Sequence, residues 1–161
     1  MKRWLFSLIA ALMLCCGFVK ADTFGDAGAA YVKGDFAQVV KLLRPLAEKG
    51  NVEAQYKLGV MYDEGKGVTQ DYQEASKWYR LSAEQGKSGA QYNLGLMYAQ
   101  GQGVALDYVR AHLWLSLAVD QGFSEAKSDL DWLAERMTPA QIDEAKKMTQ
   151  KCKKGNYKSC N

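Results

Sequence analysis

The sequence predicts an all-α chain, an α/α solenoid of about four helix hairpins, and three observations carry that prediction. Residues 54–89 recur, shifted by 36 positions, as residues 90–125. Within each unit apolar residues return at helical spacing, and glycines stand where helices must stop. The composition, 48% hydrophobic and 24% charged with 2 prolines in 161 residues, is that of an ordinary folded domain. It excludes a disordered or collagen-like chain.

Residues 1–21 are expected to be a signal peptide. Lys2 and Arg3 form a positive start, and an apolar run from Trp4 to Val19 follows, broken only by Ser7 and Gly17. That run is short of the roughly 20 residues a spanning helix needs. Val19-Lys20-Ala21 presents small residues where a signal peptidase reads, leaving Asp22 as the new terminus. A retained anchor is one alternative. A lipoprotein is another, although Leu14 and Cys15 precede Cys16 where that processing wants Gly or Ala. Cleavage implies a periplasmic or secreted protein with no integral membrane segment after processing. It also changes the charge: without Lys2, Arg3 and Lys20 the chain holds 18 basic and 18 acidic residues. A neutral chain lacks the basic excess that sustains nucleic-acid binding, so no nucleic-acid partner is expected.

Residues 22–53 read as a degenerate first unit. Asp22 to Lys33 is a shortened first helix, and Gly34-Asp35-Phe36 to Gly50 resembles a second helix, with Asp35 aligned to Asp71 and Gly50 to Gly86. The full repeats occupy 54–89 and 90–125, where 18 of 36 aligned positions are identical. Ala54-Gln55-Tyr56, Leu58-Gly59, Met61-Tyr62, Gly65-x-Gly67-Val68 and Asp71-Tyr72 each return 36 residues on, as do Ala75, Trp78 and Gln85-Gly86. Gly65 and Gly67 end the first helix and free the turn. Asp71 caps the second helix, with Glu74 placed for a capping box. Ala75, Trp78, Leu81 and Ser82 are expected to form its buried face. Gly86 stops that helix, and Ser88 with Gln91 is expected to cap the next. Residues 126–161 read as capping helices with a tail. Ala126 and Leu130 keep the repeat register, and Thr138-Pro139 with Gln141 opens a last helix to about Thr149. Terminal units of a stack depart from consensus because one of their faces meets water.

The pattern A-Q-Y-x-L-G-x-M-Y-x-x-G-x-G-V-x-x-D-Y-x-x-A-x-x-W, twice complete and degraded on both sides, resembles the Sel-one-like repeat family, relatives of the tetratricopeptide repeats. The resemblance covers roughly residues 22–150. It implies an α/α solenoid used as an adaptor for protein–protein contacts, common among exported bacterial proteins. Some relatives bridge the two helices of each repeat with cysteines. This chain has none there, so the penicillin-binding or β-lactamase activity of that branch is not carried over.

Little in the sequence points to catalysis. His112 is the only histidine, stands where the preceding repeat has Ser76, and reads as a surface or boundary residue. Gly65-x-Gly67 and Gly101-x-Gly103 repeat with the fold and are turns, not a nucleotide fingerprint. Asp63 and Glu64 become Ala99 and Gln100 in the next unit, which suits solvated helix ends better than an acid–base pair. Tyr56, Tyr62, Tyr72 and Trp78 fall at consensus packing positions and read as core rather than as a stacking platform. No catalytic residue, cofactor or metal site is assigned. The reading that results is an exported repeat scaffold for protein–protein interaction in the bacterial envelope, with an unknown protein or peptide partner. A cell-wall or β-lactam-related hydrolase, or a secreted regulator or effector, is the alternative. Positions that vary between otherwise matching first helices, the pairs Lys57/Asn93, Asp63/Ala99 and Glu64/Gln100, are the likeliest recognition set; Lys57, Glu64, Asn93 and Gln100 are assigned to partner binding, with Met61 and Met97 as adaptable apolar neighbours.

After cleavage two cysteines remain, Cys152 and Cys160, and an even number of thiols in an oxidising compartment reads as a disulfide. A metal site would need more ligands than this end of the chain supplies. Gly155 is expected to leave the helix in a left-handed cap, with Asn156-Tyr157-Lys158 turning the chain back. Lys146, Lys147, Lys151, Lys153, Lys154 and Lys158 make this end basic, which reads as a solvating cap or as a contact for acidic wall polymers or membrane surfaces.

Overall fold

A computed structural model of the chain describes residues 23–158 and Cys160; the expected signal peptide lies outside the described residues. The described residues form eight helices: α1 Thr23–Val32, α2 Phe36–Glu48, α3 Val52–Glu64, α4 Tyr72–Ala83, α5 Ser88–Gln100, α6 Tyr108–Asp120, α7 Glu125–Ala134 and α8 Pro139–Lys154. Each helix packs against its predecessor as far as α7, and α3 also touches α5. The fold is an α/α solenoid.

Local chemistry sets most helix boundaries. Asp35, Asn51, Asp71 and Asp107 each accept a backbone N–H of the first turn, which satisfies donors the helix itself leaves open. Thr138 and Gln141 form a complete capping box ahead of α8, with Pro139 in its first turn. Two expected caps differ. Asp71 bonds the N–H groups of Gln73 and Glu74, but the Glu74 side chain turns to Lys77 instead of closing a box. Residue Lys87, not Ser88, is the N-cap of α5 and offers no side-chain bond, because an ammonium has no acceptor, and Gln91 is drawn into the interior.

The two glycines of each turn do different work. Gly65 and Gly101 sit in the left-handed region at φ +67° and +68° and return their N–H groups to Met61 and Met97. Gly67 and Gly103 are also left-handed, and a Cβ on either would overlap the backbone at Phe36 or Tyr72 respectively. Each turn therefore rests on the start of the second helix of the preceding unit, and only a hydrogen side chain lets it approach.

The interior divides into two clusters. One joins Ala27, Val39, Val40, Leu43, Ala54, Leu58 and Met61, with Trp78 packed on its edge. The other runs from Ala75 to Cys160 around the fully buried Trp114. Trp114 behaves as expected, whereas Trp78 is half-buried, and Leu81 is 44% exposed instead of lying on the buried face of α4. Tyr79 takes the interior place on that helix. The repeat partner of Leu81, Leu117, is buried because α6 is packed by α5, α7 and α8, while α4 packs mainly against α3 and α5. The same crowding buries His112, read from the sequence as a surface or boundary residue.

The last pair is not a hairpin closed on itself. Helix α8 packs along α6 rather than against α7. Its inward residues Ala145, Thr149 and Cys152 are small, and Thr149 returns its hydroxyl to the Ala145 carbonyl, so the two helices approach closely. Helix α8 continues to Lys154, past the expected end. Gly155 is not left-handed, at φ −83°; the chain reverses through Asn156 and Tyr157, at φ +50° and +64°. Cys152 and Cys160 are joined across that reversal with Cα atoms 4.5 Å apart, inside the range a disulfide requires.

Candidate functional site: the row of first helices

Helices α1, α3, α5 and α7, the first helices of successive units, open two apolar clefts between them. The cleft between α1 and α3 has a volume of 530 Å³ and is lined by Phe24, Tyr31, Leu43, Tyr56, Lys57 and Val60 among others. The second cleft, of 430 Å³, lies between α5 and α7 and is lined by Leu96, Ala99, Gln100, Leu115, Asp129 and Trp132 among others. Residues 56, 60 and 63 are spaced i, i+4 and i+7, so they share one face of α3. Their repeat equivalents 92, 96 and 99 share the same face of α5. One surface thus crosses both full repeats.

A polar group stands between the clefts. The Tyr79 hydroxyl donates to Asp63 Oδ2 at 3.1 Å and is also bonded by the Asn93 side chain. Burial raises the Asp63 carboxyl above the usual carboxylate range, the Tyr79 bond opposes that rise, and Glu64 adds to it. Burial, then the charge of Asp63, pushes the Tyr79 phenol far up, so it remains a donor at any physiological pH. Toward α7, the Tyr92 hydroxyl donates to Asp129 at 3.0 Å while its ring packs on Phe123 with centroids 4.8 Å apart. Trp132 is 46% exposed and carries the Arg136 guanidinium 3.8 Å above its ring centroid. The surface offers apolar recesses, a half-buried donor–acceptor set and one exposed indole, which suits holding a segment of another molecule.

The candidate residues are distributed unevenly over this surface. Lys57 is exposed at the first cleft and pairs with Glu53 at 3.4 Å; Glu53 also holds Lys87, whose hydrogen bond is the chief reason its carboxyl lies below the ordinary value. Gln100 lines the second cleft, and half-buried Asn93 sits between the two on Tyr79. Glu64 is exposed, pairs with Lys66 at 2.7 Å and lines neither cleft. Met61 and Met97 are each 3% exposed and belong to the core. They are corrected from surface neighbours to packing residues, because they face the interior with Leu58 and Leu94; Met61 reaches the surface only as floor of the first cleft.

Sequence reasoning missed the contribution of Tyr56, which it read as core, and of Val60, Leu96 and Trp132, to which it gave no role. It also missed a polar ladder that repeats with the fold. The buried Gln55 donates to the Ala47 carbonyl and accepts from Gln85; 36 residues on, Gln91 donates to Ala83 and accepts from Gln121. Each of these glutamines ties a first helix to the second helices before and after it. The exact recurrence of Gln55 and Gln91, and of Gln85 and Gln121, was the available signal.

Comparison with known proteins agrees with this architecture. The Sel1 repeat model matches residues 52–87 and 88–123. A solved structure of a protective antigen present in uropathogenic Escherichia coli strains, displaying an SLR fold, superposes with a TM-score of 0.76 at 31% identity over 85% of this chain. A Sel1 repeat protein from Oxalobacter formigenes superposes with a TM-score of 0.63 at 32% identity over 67% of this chain. The chain spans 32% of the first of these proteins and 44% of the second. Among curated proteins none matches the chain. Repeats of this kind generally serve as protein–protein interaction scaffolds.

Proposed function

Because this chain is a Sel1-repeat protein, we propose that it is an exported, non-catalytic scaffold whose row of first helices holds an extended segment of a protein partner. The observation that carries this reading is the placement of two apolar clefts on either side of the Tyr79–Asp63–Asn93 group. Neighbouring helix axes lie about 8–10 Å apart, so clefts two helices apart are separated by about 20 Å. An extended chain advances about 3.3 Å per residue, so the fitting segment has two apolar anchors about six residues apart. The main-chain amides between those anchors would meet Asp63 and Asn93. Lys57 and Gln100 would border the anchors.

Export is supported by the Lys2-Arg3 start and apolar run of residues 1–21, and by a cysteine pair of the kind that persists in oxidising compartments. A periplasmic or secreted location follows from that reading. So does the organisation into a removed leader 1–21, a degenerate unit 22–53, repeats 54–89 and 90–125, and a cap 126–161.

The test is fluorescence anisotropy with labelled peptides carrying two apolar anchors at graded separations. Affinity should peak near a separation of about six residues. Val60→Lys and Leu96→Lys, each charging one cleft, should each weaken binding at least tenfold. Binding that ignores anchor spacing and both substitutions would overturn the reading.

A further inference from the structure

The outward face of α8 carries a charge arrangement that the groove does not use. Between Ala145 and Lys158 stand Lys146, Lys147, Lys151, Lys153, Lys154 and Lys158, all exposed, with no acidic residue among them. Residues 22–144 hold 12 basic and 18 acidic residues, so a basic end is set against an acidic body. Lys147, Lys151 and Lys154 follow at i, i+4 and i+7 and form one stripe. Ala145, Thr149 and Cys152 are buried on the opposite side of the helix. The core therefore aims the stripe directly at solvent.

Five of these six lysines form no ion pair within the described residues. The sixth, Lys153, pairs with Asp120 at 2.9 Å. Asp143 and Glu144 lie within one turn of Lys147 and no ion pair joins them to it. Like charges at i, i+4 repel and destabilise a helix. The attraction of a helix C-terminus for cations accounts for Lys151, Lys153 and Lys154 in the last turn, but not for Lys146 and Lys147.

We propose that this face docks the protein on a membrane surface rich in anionic phospholipid. Clusters of four to eight lysines on one helix recognise such surfaces, each lysine adding to the attraction within a Debye length. The face is the convex side of a single helix, not a cleft, so it suits a plane of headgroups. No aromatic side chain is exposed on it: the nearby Tyr157 ring lies over Gly86, so the face lacks the stacking platform single-stranded nucleic acid requires. The Cys152–Cys160 bond holds the end of the array in place.

The experiment is co-sedimentation of the processed chain, from Asp22 onward, with phosphatidylcholine vesicles, with or without about 30% phosphatidylglycerol. It compares the natural chain with Lys147→Gln/Lys151→Gln/Lys154→Gln. The natural chain should bind the anionic vesicles at least tenfold more than the neutral ones, and lose that preference in high salt. The triple variant should lose the preference while its thermal melt stays close to that of the natural chain, since these lysines form no ion pairs and the lost attraction to the helix C-terminus is offset by relief of the Lys147–Lys151 repulsion. An equal preference in both proteins would overturn the proposal by assigning the anionic preference to another part of the surface. Binding of soluble polyphosphate without any vesicle binding would also overturn it, in favour of a linear polymer.

Discussion

At the scale of single residues, the turn glycines give the sharpest expectation. Alanine in the left-handed region costs about 1–2 kcal/mol. At Gly67 and Gly103 it must also displace the backbone of the preceding unit. Gly67→Ala and Gly103→Ala should each destabilise by roughly 3 kcal/mol or more, read from urea midpoints. Gly28 in α1 is helical and faces open space where a methyl group would stand, so Gly28→Ala should stabilise by about 0.5–1 kcal/mol. Equal effects at the three sites would show that the turns do not bear on their neighbours. His112 gives a pH expectation. Burial, then the charge of Lys146, lowers its pKa below the usual 6.5, and its Nδ1 lies 3.2 Å from the Ser116 hydroxyl. The folded protein thus favours the neutral ring, and this contribution is complete above pH 6.5. It is lost as pH falls from 6.5 toward the lower folded value, where the unfolded chain takes up the proton first. Urea midpoints of the natural protein should fall between pH 7 and 5 more steeply than those of His112→Gln. Parallel curves would place the ring in water. The turn glycines were legible as breakers but not as contacts, because a sequence shows where a chain bends and not what it bends against. The histidine was misread because its exposure depends on α8, distant in sequence.

At the scale of elements, the strongest signals were local ones. Caps such as Asp71 and Thr138 satisfy first-turn donors within three residues, so the chain carries them in plain sequence order. The face of α4 was less legible: Trp78, Tyr79 and Leu81 are all large and apolar, and only the neighbours of the helix decide that Tyr79 turns inward and Leu81 outward. The placement of α8 along α6 was not legible either, since a helix with a small-residue stripe fits any partner that offers a matching groove. The disulfide acts on this last element. Its cysteines are eight residues apart, and closing such a loop stabilises by about 2.5 kcal/mol on the chain-entropy account. Cys152→Ala/Cys160→Ala should therefore lower the thermal midpoint and raise amide exchange first in α8, leaving α3 to α5 protected longer. Uniform loss of protection would instead make the solenoid a single cooperative unit.

At the scale of the whole molecule, the period of 36 residues sets both the stability and the proposed site. Stacked repeats are held by nearest-neighbour contacts, here the glycine seats, the glutamine ladder and the paired bonds from Arg44 to Tyr62 and from Arg80 to Tyr98. These fix the spacing of the first helices, and that spacing fixes the distance between the two clefts. The period was fully legible. The surface was legible only in part, since Lys57, Asn93 and Gln100 vary between repeats as contact residues do, while Tyr56 and Leu96 look like core until the gaps beside α1 and α7 are seen. The most direct measurement of the central claim is amide chemical-shift mapping of the protein with the best-binding two-anchor peptide. The shifts should concentrate at Tyr56, Val60, Asp63, Asn93, Leu96 and Trp132, leaving the outward face of α8 unchanged; shifts spread over the second helices, with none across α3 and α5, would contradict it.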